Sequence, residues 1–207
     1  MRRAFRILPL AALSLAAVLT LTPPAGAAPE AVGAVRTLYS TLLQTMRNGP
    51  ALGAQGRYER LMPVIRQVFD VELMTRLSVG PAWTGLTPAQ RQQATDAFAR
   101  YIAAVYADRF DSYSGERLEV TGTQPSTAGQ IVKSVIVKSD GEQVHINYLM
   151  RQTGAGWQIA DVYLNGTISE LATRRSEFAA ILRSRGIDGL ISTLNGKAAA
   201  LASAQTS

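Results

Sequence analysis

The apolar positions of the chain change period twice. From Val32 to about residue 111 they recur at three- and four-residue spacings, the mark of helices with a buried face. From Arg117 to Leu164 they alternate, as in half-buried strands, and after Thr167 the helical spacing returns. In the first block Val32, Val35, Leu38, Tyr39, Leu42 and Leu43 form one stripe, which Asn48-Gly49-Pro50 interrupts. Shorter helices are predicted over Arg57 to Phe69, with Pro63 tolerated near a first turn, and over Val71 to Leu77, closed by Gly80-Pro81. Asp70 and Glu72 at that start read as partners of the helix dipole, not as a carboxylate pair. Thr87-Pro88-Ala89-Gln90 then joins an N-cap, a proline at the first helical position and a capping-box Gln. The helix it opens runs to about Asp111 and carries Ala94, Phe98, Tyr101, Ile102 and Val105 on one face.

Four strands are predicted: Arg117 to Gln124, Gln130 to Ser139, Glu142 to Thr153 and Trp157 to Leu164, with a hairpin turn at Asp140-Gly141. Val144, Ile146, Tyr148 and Met150 alternate with His145, Asn147, Leu149 and Arg151, so this strand has one apolar face. Asn165-Gly166 stops the fourth strand, and Thr167 with Glu170 makes a capping box for a helix. Its stripe of Ile168, Leu171, Ala172, Phe178, Ala179 and Leu182 should face the core. Gly186 ends it, and Asp188 is a candidate cap for a second helix reaching Leu201. Helices followed by a meander describe an α+β domain, a helical lobe packed on a curved, mostly antiparallel four-stranded sheet. The expected organisation is one domain over 28–201 and a disordered tail over 202–207.

The N-terminus is separate from this pattern. Arg2, Arg3 and Arg6 precede an apolar run from Ile7 to Leu21, then Pro23-Pro24 and Ala25-Gly26-Ala27, as in a secretory signal with a small-residue cleavage site near Ala27. The run is shorter than the roughly 20 residues a spanning helix needs. The expected localisation is therefore the periplasm, with the ordinary export route favoured over the twin-arginine one. Removing residues 1–27 removes three arginines and no acids, which takes the formal charge from +6 to +3. No Lys/Arg block remains, so no nucleic-acid footprint is expected. The chain has no cysteine, which excludes disulfides, thiolate metal sites and a lipid-modified mature N-terminus.

Catalytic patterns are scarce. His145 is the single histidine and lies opposite the apolar Ile146 face, so neither a histidine metal site nor a catalytic role is expected; no cofactor is implied. Gly154 and Gly156 close a hairpin and form no phosphate loop, and the serines lack a nucleophile-elbow context. Asp161 falls on the strand face of Trp157, Ile159 and Tyr163, while Arg175 projects from the middle of the next helix's apolar stripe. Charges so placed need partners, and a structural Asp161 to Arg175 ion pair is expected.

The segment WQIADVYLNGTISELATRRSEFAAILRSRGIDGLISTL resembles the C-terminal pattern of the MlaC-type periplasmic lipid-binding proteins, also called the toluene-tolerance family. Its SELATRRSEF wording is similar to the hopanoid-associated HpnM branch, and VGPAWTGLTPAQRQQATDAFARYIAAVYADRF extends the likeness over most of the mature chain. The resemblance implies a non-enzymatic carrier of a phospholipid or hopanoid. Such a carrier holds the tails between helical lobe and sheet and passes lipid between an outer-membrane lipoprotein complex and an inner-membrane transport complex. On this basis Phe98, Tyr101, Ile102 and Val105 should face Ile146, Tyr148, Val162 and Leu164 across a lipid pocket, with Leu73, Leu77 and Phe178 closing the sides. Arg175 would alternatively meet a lipid phosphate. Periodicity alone fits a solid core as well as a hollow one. A competing reading is a cone-shaped α+β enzyme that resembles ketosteroid isomerases, with Asp161 as base and a tyrosine as oxyanion donor.

Overall fold

The computed structural model describes residues 27–204, and the expected signal segment up to residue 26 lies outside them. Three helices come first: α1 (Ala27–Arg47), α2 (Gly49–Val68) and α3 (Val71–Val79). A 3-10 turn (Gly80–Gly85) leads to α4 (Pro88–Arg109). The break at Asn48-Gly49-Pro50 is real, but helix resumes at once with Pro50 in its first turn, so α2 begins eight residues before the predicted Arg57 and Pro63 lies inside it. Gly53, with φ 61°, kinks its first turns. Asp70 caps α3 by accepting from the Leu73 N–H, as a dipole partner should. The Thr87/Gln90 capping box at α4 forms as expected.

Strands β1 (Arg117–Ser126), β2 (Gly129–Val137), β3 (Gln143–Thr153) and β4 (Gly156–Leu164) follow. They form a wholly antiparallel meander with β3 at its centre. The sheet has five strands where four were expected. Asn165 and Gly166 both adopt positive φ, 49° and 79°, as the two central residues of a primed β-turn do, and with Thr167 they make a three-residue hairpin connection. The chain therefore doubles back, pairing Leu164 with Ile168 and Tyr163 with Ser169 in β5 (Ile168–Ser169).

This hairpin corrects the predicted cap. Thr167 donates its backbone N–H to Leu164 inside the turn, and Ser169 is the N-cap of α5 (Glu170–Ser203), accepting from the Ala172 N–H at 2.9 Å. Ile168 is consequently 53% exposed and does not belong to the apolar stripe, and Ala172 is exposed as well. α5 breaks at Gly186, as its sequence suggests, and continues to Ser203 with Ala202 buried, beyond the predicted end at Leu201.

The helices meet the sheet unequally. α1 lies directly on it, with Val35, Leu38 and Leu42 fully buried and Tyr39 nearly so. α4 makes its close backbone approaches to α5, α2 and α3 and stands off the sheet. From Ala97 to Ala107 it is also apolar all round apart from Arg100. Ala97, Ala99, Ala103 and Ala107 are buried on one side, while the bulky Phe98, Tyr101 and Ile102 occupy the other, so the predicted single stripe is half of what α4 buries.

Candidate functional site

Where α4 stands off, a cavity of about 460 Å³ opens between the helical lobe and the sheet. That falls within the roughly 300–1,000 Å³ of ligand pockets and far exceeds a gap for a single water. If closed and dry, at about 24 cal/mol per Å³ it would cost on the order of 10 kcal/mol, comparable to the whole stability of a domain. A void of this size is a site, not a packing defect.

Eight of the predicted residues line it. Phe98, Tyr101, Ile102 and Val105 project from α4, and Ile146, Tyr148, Val162 and Leu164 from the sheet. The register explains the sheet half, because Tyr148 pairs with Val162 and Ile146 with Leu164, which brings all four to one face. Leu73, Leu77 and Phe178 do not line it. On α3 the side chain that reaches the cavity is Met74, about 100° round the helix from Leu73 and about 60° from Leu77; Leu73 is buried elsewhere and Leu77 is 42% exposed. Phe178 packs behind Phe98, ring centroids 5.5 Å apart and nearly perpendicular. Residues that the sequence reading missed complete the lining, among them Phe69, Tyr106, Phe110, Ile136 and Val144. Val144 was findable, since it belongs to the alternation recognised in its strand, and Ile136 is its cross-strand partner.

The charged groups of the lining are Arg109, Glu170 and Arg174. Arg109 and Asn165 are exposed and mark the opening. On α5, Arg174 lies 5.4 Å over the Tyr101 ring and is clamped by Glu170 at 3.1 Å and Glu177 at 2.9 Å. Burial works against its charge, but the hydrogen bond and charge of Glu177 and the charge of Glu170 outweigh that and raise its pKa. Deeper in, burial pushes the Tyr106 and Tyr148 phenols well above the usual tyrosine range, so both stay protonated.

The expected Asp161 to Arg175 ion pair does not form. A register shift between Leu149 and Met150 leaves Ala160 as the extra residue of a β-bulge, which moves Ile159 to the inner sheet face with Val162 and separates it from Asp161, which stays on the opposite face. There Asp161 accepts from the Val162 and Leu171 N–H groups, at 2.7 and 3.1 Å, and from the Ser169 hydroxyl at 2.6 Å. Its carboxylate thus ties β4 to the start of α5 without a cation. Arg175 is exposed, its guanidinium lying over Gly80 at the end of α3. His145 is exposed on the outer sheet face, and the described residues contain no cluster of three His, Cys, Asp or Glu side chains that could hold a metal.

The sequence profile described as MlaC protein matches residues 36–196, which contain every residue that lines this cavity. The chain belongs to the MlaC family. Among solved structures it is similar to the phospholipid-binding protein from Ralstonia solanacearum, determined in complex with a phospholipid, with a TM-score of 0.69 and 24% sequence identity. The match covers 84% of this chain and 99% of that one. At that identity the likeness establishes a shared fold, a helical lobe on an open antiparallel sheet. This MlaC family chain therefore has the α+β architecture its sequence pattern suggested, with one more strand.

Proposed function

We propose that the protein is a periplasmic carrier that takes up one amphiphilic lipid, a phospholipid or a hopanoid, and hides its hydrocarbon between α4 and the sheet. The observation that carries this reading is the cavity: its walls are hydrocarbon and aromatic rings, and its charged groups are confined to the rim. An anionic headgroup at the opening would meet Arg109, while Arg174 is already engaged by two carboxylates. Membership of the MlaC family and the phospholipid held by the Ralstonia protein of the same fold support the choice of ligand class. Export follows from the Arg-rich start and apolar run before Ala27. The partners consistent with this role are an outer-membrane lipoprotein complex and an inner-membrane transport complex. Each sequestered CH₂ is worth roughly 0.8 kcal/mol, so release needs a partner that opens the cavity.

No reaction is assigned. The isomerase-like alternative needs Asp161 at the cavity base, whereas Asp161 faces away from the cavity and its oxygens are held by Ser169 and two backbone N–H groups. Native mass spectrometry of the mature protein, purified without detergent, tests the carrier role. One bound lipid per chain is expected, and extraction identifies it as phospholipid or hopanoid. Folded protein that carries no lipid and takes none from vesicles would exclude the role.

A further inference from the structure

Three large apolar side chains are exposed among the described residues, Leu77, Tyr113 and Ile168. Scattered singly they would need no explanation. Two of them lie at the mouth of the cavity. Ile168 pairs with Leu164 across β4 and β5, so both side chains are on the same face of the sheet. Leu164 lines the cavity, and Ile168, one strand further out, carries that apolar wall past it into solvent, 53% exposed. Tyr113 follows the lining residue Phe110 by three positions in the connection from α4 to β1. β1 starts opposite Val137 at the end of β2, next to the lining residue Ile136, so this connection crosses the end of the sheet at which β4 stops. The Arg47 guanidinium, 5.1 Å from the ring centroid, holds Tyr113 there. Leu77 sits elsewhere, on α3, which leads through the 3-10 turn to the start of α4, the far end of that ~33 Å helix from Arg109.

Charge at this end runs against the rest of the chain. Beyond residue 27 the formal charge is +3, yet segments 108–119 and 138–142 hold six carboxylates and only three cations. Glu119 is paired with Arg117 and Glu142 with Lys138. Asp108, Asp111, Glu116 and Asp140 remain, against Arg109 and the Arg47 beside Tyr113. Asp108 and Asp111 flank the C-terminal end of α4, where negative charge opposes the helix dipole, so they do not serve that helix. Around Tyr101, Arg174 and Lys197 are balanced by Glu170 and Glu177. A surface with this surplus is repelled by an anionic bilayer and tolerates a zwitterionic one.

Every CH₂ of a tail that crosses water on its way from a bilayer costs free energy, so uptake is fastest where the apolar wall of the cavity meets the bilayer without a gap. Tyrosine suits the bilayer interface, with an apolar ring and a wet hydroxyl, and an exposed isoleucine gains by burial in hydrocarbon. We infer that the end of the molecule bearing Ile168 and Tyr113 docks onto a zwitterionic bilayer surface, the two side chains entering its interface as lips of the cavity while the surplus carboxylates keep the protein off strongly anionic membranes. This rests on the carrier role proposed above and adds to it the face through which lipid is taken up.

Transfer of pyrene-labelled phosphatidylcholine between phosphatidylcholine vesicles, followed by loss of excimer fluorescence, tests this with the mature chain. Ile168→Ser and Tyr113→Ser should each slow transfer about tenfold, the factor supplied by burying the exposed half of such a side chain. Leu77→Ser, made at the exposed apolar residue away from the mouth, should transfer at the wild-type rate. Lipid bound per chain at equilibrium and melting temperature should hold in all three, because docking alters the path and not the bound state. Adding phosphatidylglycerol to both vesicle sets should slow wild type several-fold at low salt and little at high salt, and Asp111→Asn with Asp140→Asn should remove much of that slowing. Lip variants that transfer as fast as wild type overturn the inference and leave the carrier role standing, as does faster transfer from the anionic vesicles. Loss of bound lipid in the lip variants also overturns it, by placing the two side chains in the lipid site. Wild type that binds lipid but moves none between vesicles, as a carrier served only by protein partners would, overturns it too. Wild type that neither binds nor transfers lipid overturns both.

Discussion

α1 and α4 face the same sheet with similar apolar stripes, and only α1 seals against it. Leu38 of α1 is surrounded by protein, whereas Ile102 of α4 looks into a void. The difference lies in what holds each helix from behind. α4 is drawn to the other helices by buried alanines that allow close approach, by the Arg100 to Asn195 hydrogen bond at 2.9 Å and by the Arg66 to Asp96 ion pair at 2.8 Å. At its C-terminal end Arg57, 3% exposed, donates to the carbonyls of Ala107 and Gly49. Bulky side chains on the free face then span a gap too wide for them to fill. A cavity here results from where a helix is anchored, not from a shortage of apolar residues.

The largest effect should come from cutting the same amount of hydrocarbon on the two helices. Leu38→Ala leaves a cavity in a filled core and should lower stability by about 3 kcal/mol, within the usual 2–5. Ile102→Ala only widens an existing space and should lose clearly less. Urea unfolding of both variants measures the gap; equal losses would mean that α4 packs on the sheet in solution as tightly as α1 does.

Arg57→Met attacks the anchor itself. The variant keeps most of the stem but strands the carbonyls of Ala107 and Gly49 in the interior, which should cost about 2–3 kcal/mol. No carboxylate pairs with Arg57 among the described residues, so the loss should persist at high salt, unlike that of an exposed ion pair. Melting curves at low and high ionic strength check this.

Much of this geometry was legible in residues that act locally. The Thr87/Gln90 box, the Asp140-Gly141 hairpin and the alternation in β3 depend on near neighbours, and each appears where expected. The failures arose where a local signal had two meanings or where one extra residue reversed a face. Asn165-Gly166 fits a stop before a helix and equally a hairpin, and the hairpin that forms moves the cap from Thr167 to Ser169. The bulge at Ala160 left no mark in the sequence, so a strict period of two grouped Asp161 with Ile159, which lies on the other face, and suggested a partner Asp161 does not have. Whether the apolar faces meet or stand apart is set by Arg57 and the alanines behind α4, and no periodicity on the cavity side reports it. The corrected cap has its own test. Ser169→Ala should cost about 1 kcal/mol and Thr167→Ala almost nothing, read as shifts in denaturation midpoint at constant slope.

The smallest effect on stability should accompany the largest effect on ligand. Ile102→Trp and Val162→Trp add bulk from opposite walls, α4 and β4, into the same space. In a filled core such overpacking typically costs 1–3 kcal/mol or more. Here the indole should enter the cavity, bury its ring against Tyr148 and Leu164, and change stability by less than about 1 kcal/mol. It would also occupy the volume that hydrocarbon tails need. Lipid extracted from each variant, set against wild type prepared in parallel, should fall several-fold while the melting temperature stays within a few degrees. Ala103→Leu, placed on the alanine face of α4, supplies the opposite pattern, because its added volume meets other helices and not the cavity. It should destabilise by about 1–3 kcal/mol and leave the lipid content of the remaining folded protein unchanged. If both sets of variants lose stability and lipid together, the two faces of α4 are not distinct, and the cavity does not persist in solution.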